Sequence, residues 1–479
     1  MSSLALLIDF GSTYTKLVAL DLDSAEVIGR SQSASTVHTD VREGLLDALT
    51  QLHERHGLFD SRPKDLGVLD GTLALASSSA AGGLRMAVIG LVPGLTVEAA
   101  NQAALGAGSK LIGSWSFKLR DQAIDEIEAL RPDMILLTGG TDGGDSATIL
   151  HNAQLLAGSH LAVPIVVAGN QAVAGEVGEI LRRGGKEVRA AGNVMPRHGK
   201  LTVESAREEI RKLFMERITH AKGMDSLGNL VSVILPTPMA VLEGAQLGAQ
   251  GTDGASGWGD LLVVDVGGAT TDVHSIGYGQ PSGPQLSDQG LPEPFAKRTV
   301  EGDLGIRFNA GTLVDRVGIE RFASEFREAF PQHRVSQSEI EQYVGDISRE
   351  TATVPQSEWQ GAVDAQLAHI AVDIAIERHV GKKERIVARE GEAWIYYGKD
   401  LSETRTVIGT GGVFVYNSHA NHVLSASNAA GDGRYEVLRP KYAKHFVDGS
   451  YLLYAVGLLS RNRPDVALKV FDKYMRPLA

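Results

Sequence analysis

The chain contains no cysteine, which excludes a disulfide framework, a thiolate metal site and a cysteine nucleophile. Aromatic residues are scarce at 6%, and 16 prolines stand against 55 glycines, a balance that suits an α/β protein with many tight strand-to-helix turns. No apolar run reaches membrane-spanning length, the nearest being residues 451–459. The formal charge of −12 argues against a nucleic-acid or anionic-membrane partner. There is no G-x-S-x-G elbow, no H-E-x-x-H and no Walker lysine. Arg197-His198-Gly199-Lys200 comes nearest to a P-loop ending, but Leu201 stands where a hydroxyl is required. The 14 histidines are scattered, and the pair His419 and His422 lacks a full set of metal ligands. Met1-Ser2-Ser3 reaches Asp9 through a short apolar stretch without a basic flank, which reads as a first strand rather than a signal peptide. A cytoplasmic protein with at least two packed domains is expected from 479 residues that are 43% hydrophobic.

What is present is a repeated loop. Leu6-Leu7-Ile8-Asp9 leads through Phe10, Gly11, Ser12 and Thr13 into Tyr14-Thr15-Lys16-Leu17-Val18. Val263-Val264-Asp265-Val266 leads through Gly267, Gly268, Ala269 and Thr270 into Thr271-Asp272-Val273. In each copy a buried-strand run ends in an aspartate, followed by a small turn, a hydroxyl cluster and a second strand. Glycines let backbone N–H groups approach an anion, because no Cβ intervenes. Hydroxyls of Ser12, Thr13, Thr15, Thr270 and Thr271 add donors for phosphate oxygens. Asp9 and Asp265 stand where a hydrated Mg²⁺ would take carboxylates. Lys16 fits either a partner for phosphate charge or a solvated strand residue. A third run, Val407-Ile408-Gly409-Thr410-Gly411-Gly412-Val413-Phe414, is an apolar strand entering small residues, on which a flat purine and ribose can lie.

Between these motifs the pattern is α/β. Residues 19–36 continue the opening hairpin, and 44–53 read as a helix with Leu45, Leu46, Leu49 and Leu52 on one side. Strands are expected at 73–83, 84–92, 134–137 and 164–169, with helices at 96–106, 147–156 and 172–183; this βαβα rhythm implies parallel sheet. The glycine loops at 77–83 and 138–145 lie at strand ends, where α/β folds bind ligands, although plain strand–helix turns fit them too. Helices are also expected at 202–214, from Thr237 onward, around 313–317 and at 360–380. Residues 249–259 read as a flexible crossing, 277–294 as an exposed hairpin tip, and 393–397 as a short strand at a solvated edge flanked by the charges of 382–389 and Lys399-Asp400.

The two Asp-led loops resemble the phosphate loops of the actin, sugar-kinase and DnaK-type chaperone superfamily, and 407–414 resembles its adenosine motif. The resemblance implies a two-lobed α/β actin-like ATPase fold of duplicated ribonuclease-H-like lobes. The first lobe would span 1–255, with an α/β insertion at about 66–200. The second would span 256–479, with a late helix at about 449–460 packing back to the first. It implies ATP and Mg²⁺ as ligands, with Asp9 and Asp265 on the metal. Gly11, Ser12, Thr13, Thr15, Lys16, Gly267, Gly268, Ala269, Thr270, Thr271, Gly302, Gly409, Gly411 and Gly412 would lie on the nucleotide, and Asp9, Asp265 and Asp272 would act in catalysis. Gly302-Asp303 resembles the superfamily's Gly-Gly-acid segment, although Glu301 replaces its first glycine; Asp272, Glu301 or Asp303 would serve if a base is needed. Residues 76–94, 136–145 and 297–305 go further and resemble the glutamate mutase accessory protein family, often called MutL or GlmL, which shares only a name with a mismatch-repair protein. That resemblance implies an ATP-dependent accessory or reactivating chaperone for subunits of an adenosylcobalamin-dependent mutase, turning over ATP slowly to open and close its lobes. A small-molecule kinase on the same fold and a hydantoinase-like subunit are the alternatives.

Overall fold

The computed structural model describes residues 3–11, 14–36, 39–79, 84–219, 227, 230–231, 233–279, 287–289, 291–388, 391–428 and 435–478. The chain forms two compact units: Met1–Gly244 with Gly290–Pro292 and Tyr454–Ala467, and Ala245–Gln289 with Glu293–Leu453 and Leu468–Ala479. The division falls inside the helix Thr237–Gln250.

The strands of the first unit are β1 (Leu4–Phe10), β2 (Tyr14–Asp21), β3 (Glu26–Ala34), β4 (Leu73–Ser78), β5 (Arg85–Gly90), β6 (Lys110–Ser116), β7 (Met134–Leu137), β8 (Ile165–Val167), β9 (Val188–Ala190) and β10 (Val233–Pro236). Five of them make a sheet of order β10-β4-β1-β2-β3. β1, β2 and β3 form an antiparallel meander, while β1, β4 and β10 run parallel. β1 is apolar and buried along almost its whole length, as a central strand covered on both faces must be. The helix Val41–His56 follows the meander. The Asp40 carboxylate caps its first turn, and Gly57, in the left-handed region at φ 62°, ends it.

The remaining five strands form a second sheet, β6-β5-β7-β8-β9, parallel throughout. Because β4 and β10 are neighbours in the first sheet, the second is an insertion between them. Helices Asp121–Leu130, Ala147–Gly158 and Ala174–Arg183 cover one face, through Ile127, Ile149, Val177 and Leu181. Helices Glu98–Gly106 and Glu204–Thr219 supply Ala100, Ala103, Ala206 and Ile210 to a core with Met86, Val88 and Leu136. The strand order reverses at β5, so the connections leaving β5 and β7 depart to opposite faces.

The second unit contributes β11 (Gly251–Thr252), β12 (Ala255–Ser256), β13 (Leu261–Val266), β14 (Thr271–Ile276), β15 (Ser287–Gln289), β16 (Ala296–Glu301), β17 (Lys382–Ala388), β18 (Gly391–Tyr397), β19 (Thr406–Thr410), β20 (Tyr435–Val437), β21 (Lys444–Asp448) and β22 (Met475–Pro477). Its main sheet runs β16-β14-β13-β19-β21-β22. The first five strands match β3-β2-β1-β4-β10 in order and direction: an antiparallel meander on one side of β13, two parallel strands on the other. Two separate stretches of chain build the same ribonuclease-H-like sheet, which is the duplicated architecture of the actin-like ATPase fold. Val264, Val266 and Val273 pack with Phe322, Phe326, Val363 and Leu367 in its core. Among the described residues no helix is long and apolar enough to cross a membrane.

Two expectations are corrected here. Residues 249–259 are an ordered hairpin: β11 pairs with β12, and the N–H groups of Trp258 and Gly259 donate to the carbonyls of Gly248 and Ala249. The charged stretch beginning at Lys382 is itself a strand, β17, which places β18 inside the sheet β15-β18-β17-β20 rather than at an edge. Its charges are accommodated by pairing: Lys383 meets Glu436 at 2.7 Å and lies 4.9 Å from the centre of the Trp394 ring. Of the expected hairpin tip 277–294, residues 280–286 and 290 lie outside the described residues.

Lys399, expected in a solvated flank, is fully buried. Its ammonium donates to the carbonyls of Ser275 (3.1 Å), Pro294 (3.0 Å) and Phe295 (2.9 Å), so all three donors are used. Burial pushes Lys399 down to about 7, whereas an unfolded lysine titrates near ~10.4. The unfolded chain therefore binds more protons across that window. The contribution is full above the unfolded value and is lost as pH falls toward about 7. Stability is expected to rise between about pH 7 and about pH 10, and the Lys399→Met variant to lack that rise. Thermal melts across the window check it; parallel pH profiles for the two proteins would contradict it.

Candidate nucleotide site

In the first unit Asp9 lies opposite Lys16 across the β1–β2 hairpin, and Phe10 lies opposite Thr15. Asp9 is only 2% exposed. Its Oδ1 accepts from the hydroxyls of Thr237 (2.7 Å) and Ser77 (3.3 Å), and Lys16 Nζ stands 4.0 Å from Oδ2. Burial pushes the Asp9 carboxyl up, while Lys16, Thr237 and Ser77 pull it back. Gly11 closes the turn by donating to the Tyr14 carbonyl at 3.0 Å. A Cβ there would meet that oxygen at 2.6 Å, so glycine is required for the turn itself. Ser12 and Thr13 lie outside the described residues. Thr15 is fully buried on the core side with Phe10, and its hydroxyl has no hydrogen-bond partner among the described residues. The expectation that this hydroxyl reaches a ligand is corrected, because side chains alternate along a strand and Thr15 is on the face opposite Asp9.

The second unit repeats the turn. Gly267 donates to the Thr270 carbonyl at 2.9 Å, and Asp265 lies opposite Asp272 as Asp9 lies opposite Lys16. Asp265 is half-buried and more accessible than Asp9. The N–H groups of Gly268, Ala269 and Thr270 have no hydrogen-bond partner among the described residues, which leaves three adjacent donors for an anion. The loop is held from below. The Gly267 carbonyl accepts from the Ile306 N–H, and the Gly268 carbonyl from the N–H groups of Arg307 and Phe308. Asn309 Nδ2 donates to the carbonyls of Ala269 and Gly302, each at 3.1 Å. Gly302 thus serves this support, and the helix that follows begins only at Ala310. Thr271 is buried and donates to the Leu304 carbonyl at 2.7 Å, so it too is sealed from a ligand.

None of the three acids considered as a base stands free. Asp272 is 8% exposed and held by Arg298 at 2.6 Å. Arg378 joins Glu301 (2.5 Å) to Asp303 (3.0 Å), and Arg316 adds a second contact to Asp303 at 2.7 Å. Burial pushes Glu301 up against the pull of Arg378, and the hydrogen bond from Arg378 holds Asp303 low.

In the third motif the small residues divide. A Cβ at Gly409 would strike the Phe414 ring at 2.6 Å, so this glycine serves internal packing. Gly411, at φ 106°, lies against the Val266 carbonyl and Asp265 Oδ1, and so ties the third motif to the second loop. A Cβ at Gly412 would meet nothing within 4 Å. Thr410 donates to the buried Asp448 at 3.1 Å.

The two other glycine loops differ. Ser77 and Ser78 bind Asp9 and the Phe10 carbonyl, while 80–83 lie outside the described residues. The loop 138–145 is closed on itself: Gly143 N–H donates to Asn170, Asn193 donates to the Gly140 carbonyl and to Asp142, and Asp142 N–H donates to the Pro196 carbonyl. The plain-turn reading fits it. The sequence offers no role for Thr237, Arg298 and Arg307, Pro238 at a helix start being the only pointer to Thr237, while Ser77 falls in the loop 77–83 that it does single out.

No group of three or more potential ligands for a metal occurs among the described residues. His422 instead stacks on His369 at 4.5 Å and bonds Gln366 at 2.8 Å. Burial pushes His422 down to about 4 and His274 to about 3. Each is neutral when folded but protonates near ~6.5 when unfolded. Their stabilisation is full above that value and lost as pH falls toward about 4 and about 3. The unfolding temperature is expected to drop as pH falls from about 6.5 to about 4.5, and less so in His422→Gln. Identical profiles would contradict a neutral, stacked His422.

With this geometry in view, comparison with known proteins is informative. The family model described as MutL protein matches residues 5–475. Protein MutL of Clostridium tetanomorphum is 41% identical over 472 residues, covering 98% of each chain. Among solved structures, the Plasmodium falciparum glycerol kinase with ADP aligns at 10% identity and a TM-score of 0.36, over 99% of this chain and 93% of that one. A glycerol dehydratase reactivase aligns at 10% identity and a TM-score of 0.28, over 96% of this chain and 100% of that one. At such scores these two likenesses add nothing to the strand order already described. The family match runs through β1, the insertion, both Asp-led hairpins and the third motif, and the chain belongs to the MutL protein family.

Proposed function

We propose that this chain binds ATP with Mg²⁺, hydrolyses it slowly, and uses the cycle as an accessory or reactivating chaperone for an adenosylcobalamin-dependent mutase of the glutamate mutase or aminomutase type in the cytoplasm. The observation that carries the nucleotide reading is the recurrence of one Asp-led hairpin at the same place in two sheets of the same topology, the second presenting three N–H groups without a partner among the described residues. In this reading Gly268, Ala269 and Thr270 hold phosphate oxygens, Asp265 and Asp9 are, each in its own unit, the carboxylates suited to hydrated Mg²⁺, and Gly411 and Gly412 receive the nucleoside. Mg²⁺, when bound, offsets phosphate charge. Lys16, beside Asp9, adds a cation. The mutase reading rests on family membership.

A phosphoryl-transfer kinase needs a carboxylate free to take a substrate proton. Asp272, Glu301 and Asp303 are each engaged by arginine, which favours slow hydrolysis over transfer. Nucleotide and mutase are then linked: whichever state of the protein nucleotide favours, the mutase must feel reciprocally. The test is phosphate release measured with a panel of metabolites and, separately, with active and inactivated mutases. Stimulation by a mutase, largest with inactivated cobalamin, is expected. A phosphorylated metabolite with no response to any mutase would establish the kinase instead.

A further inference from the structure

Phe117 follows β6 directly, at the carboxyl edge of the inserted parallel sheet. It is held at φ 64°, a left-handed conformation that is costly for a bulky residue, yet its side chain is 56% exposed. The conformation is built in from both sides. Phe117 N–H donates to the Leu91 carbonyl at 3.1 Å. Asn152, itself 1% exposed, donates to the Phe117 carbonyl at 3.0 Å and accepts from Leu119 N–H at 2.8 Å. A buried side chain is thus committed to presenting an aromatic ring to solvent. The flanking Lys118 and Arg120 are exposed, and their side chains have no partner among the described residues, although the chain as a whole carries a net charge of −12. Leu91 places this loop beside β5, where the strand order reverses and α/β sheets engage their ligands.

We propose that this edge is a protein-docking face, with Phe117 as its anchor and Lys118 and Arg120 as its charged rim, and that it takes a mutase surface offering an apolar pocket bordered by carboxylates. The occupant rests on the function proposed above. Aromatic side chains inserted into a desolvated pocket dominate interface energetics, and rim charges set the salt dependence of association. The closed loop 138–145 alongside leaves no phosphate cradle here, so the face suits a protein rather than a nucleotide.

The Phe117→Gly variant separates anchor from structure, because glycine adopts positive φ freely. Binding of purified adenosylcobalamin-dependent mutases is measured by biosensor for the full-length chain, Phe117→Gly, and Lys118→Glu with Arg120→Glu, with ATP binding and thermal melts in parallel. Phe117→Gly is expected to melt at or above the parent temperature, bind ATP as the parent does, and weaken mutase capture by about tenfold or more. The double charge reversal is expected to weaken capture most at low salt. Parent-like capture by Phe117→Gly would overturn the docking face and leave the proposed function standing. A marked fall in its melting temperature would identify Phe117 as structural and overturn it equally. Failure of the parent chain to bind any mutase would overturn both.

Discussion

Asp265→Asn is expected to lower phosphate release from Mg²⁺-ATP by about a hundredfold, the scale seen when one preorganised electrostatic contact is removed, while leaving folding stability within about 0.5 kcal/mol. The residue is half-buried at the end of β13 with Oδ1 near Gly411, so exchange for the isosteric amide removes charge with little repacking. Asp9→Asn is expected to lose hydrolysis to a similar degree but to fold less well. Its Oδ1 position still accepts from Thr237 and Ser77, but the new amide nitrogen is buried facing the Lys16 ammonium. An unsatisfied buried donor costs about 1–3 kcal/mol. Phosphate release and thermal melts on both variants check the pair. Parent-like turnover by Asp265→Asn would make its aspartate a turn cap.

Asp364→Ala is expected to destabilise the second unit by about 3–5 kcal/mol, the range for removing one partner of a buried ion pair. Asp364 accepts from Arg307 at 2.6 Å and 3.2 Å and from the Tyr343 hydroxyl at 3.0 Å; burial pushes its carboxyl up, and Arg307 and Tyr343 oppose that. Removing the acid strands the Arg307 guanidinium, whose side chain is 14% exposed. A fall of roughly 10 °C in the unfolding transition follows for a unit of this size. Nucleotide affinity should fall too, because the N–H of Arg307 holds the Gly268 carbonyl. Tyr343→Phe, losing one hydrogen bond, is expected to cost only about 1 kcal/mol. An Asp364→Ala melt like that of the parent would contradict the buried network.

The Asp-led hairpins were legible because their grammar is local: strand, acid, glycine turn and strand fall within about a dozen residues and occur twice. The duplicated sheet then follows, since each hairpin nucleates the same meander. Facing is set by the hairpin register, which places Lys16 beside Asp9 and Asp272 beside Asp265; alternation counted along the chain from Asp9 would put Thr15 on its face instead, so the register of the turn, and not the strand pattern, decides which hydroxyl is buried. Gly409 shows a second local constraint: the ring that needs its missing Cβ is Phe414, five residues on and itself part of the motif.

What stayed hidden is non-local. The Thr237 hydroxyl reaches Asp9 across 228 positions, and nothing near either residue announces it. Lys399 reads as surface charge because the three carbonyls that accept from it come from β14 and from Pro294 and Phe295, more than a hundred positions earlier. The arginines on Asp272, Glu301 and Asp303 likewise come from β16 and from two separate helices. Pairing decides whether a carboxylate can act as a base, and pairing is a tertiary property.

Calorimetric titration of the purified chain with ATP in the presence of Mg²⁺ tests the nucleotide site most directly. A saturable isotherm with a dissociation constant well below about 1 mM, the level of a weak interaction of about −4 kcal/mol, is the predicted result, with Asp265→Asn binding markedly less in the same cell. No heat of binding for ATP or ADP up to millimolar concentration would contradict it, and the paired hairpins would then be turns that share a fold and nothing more.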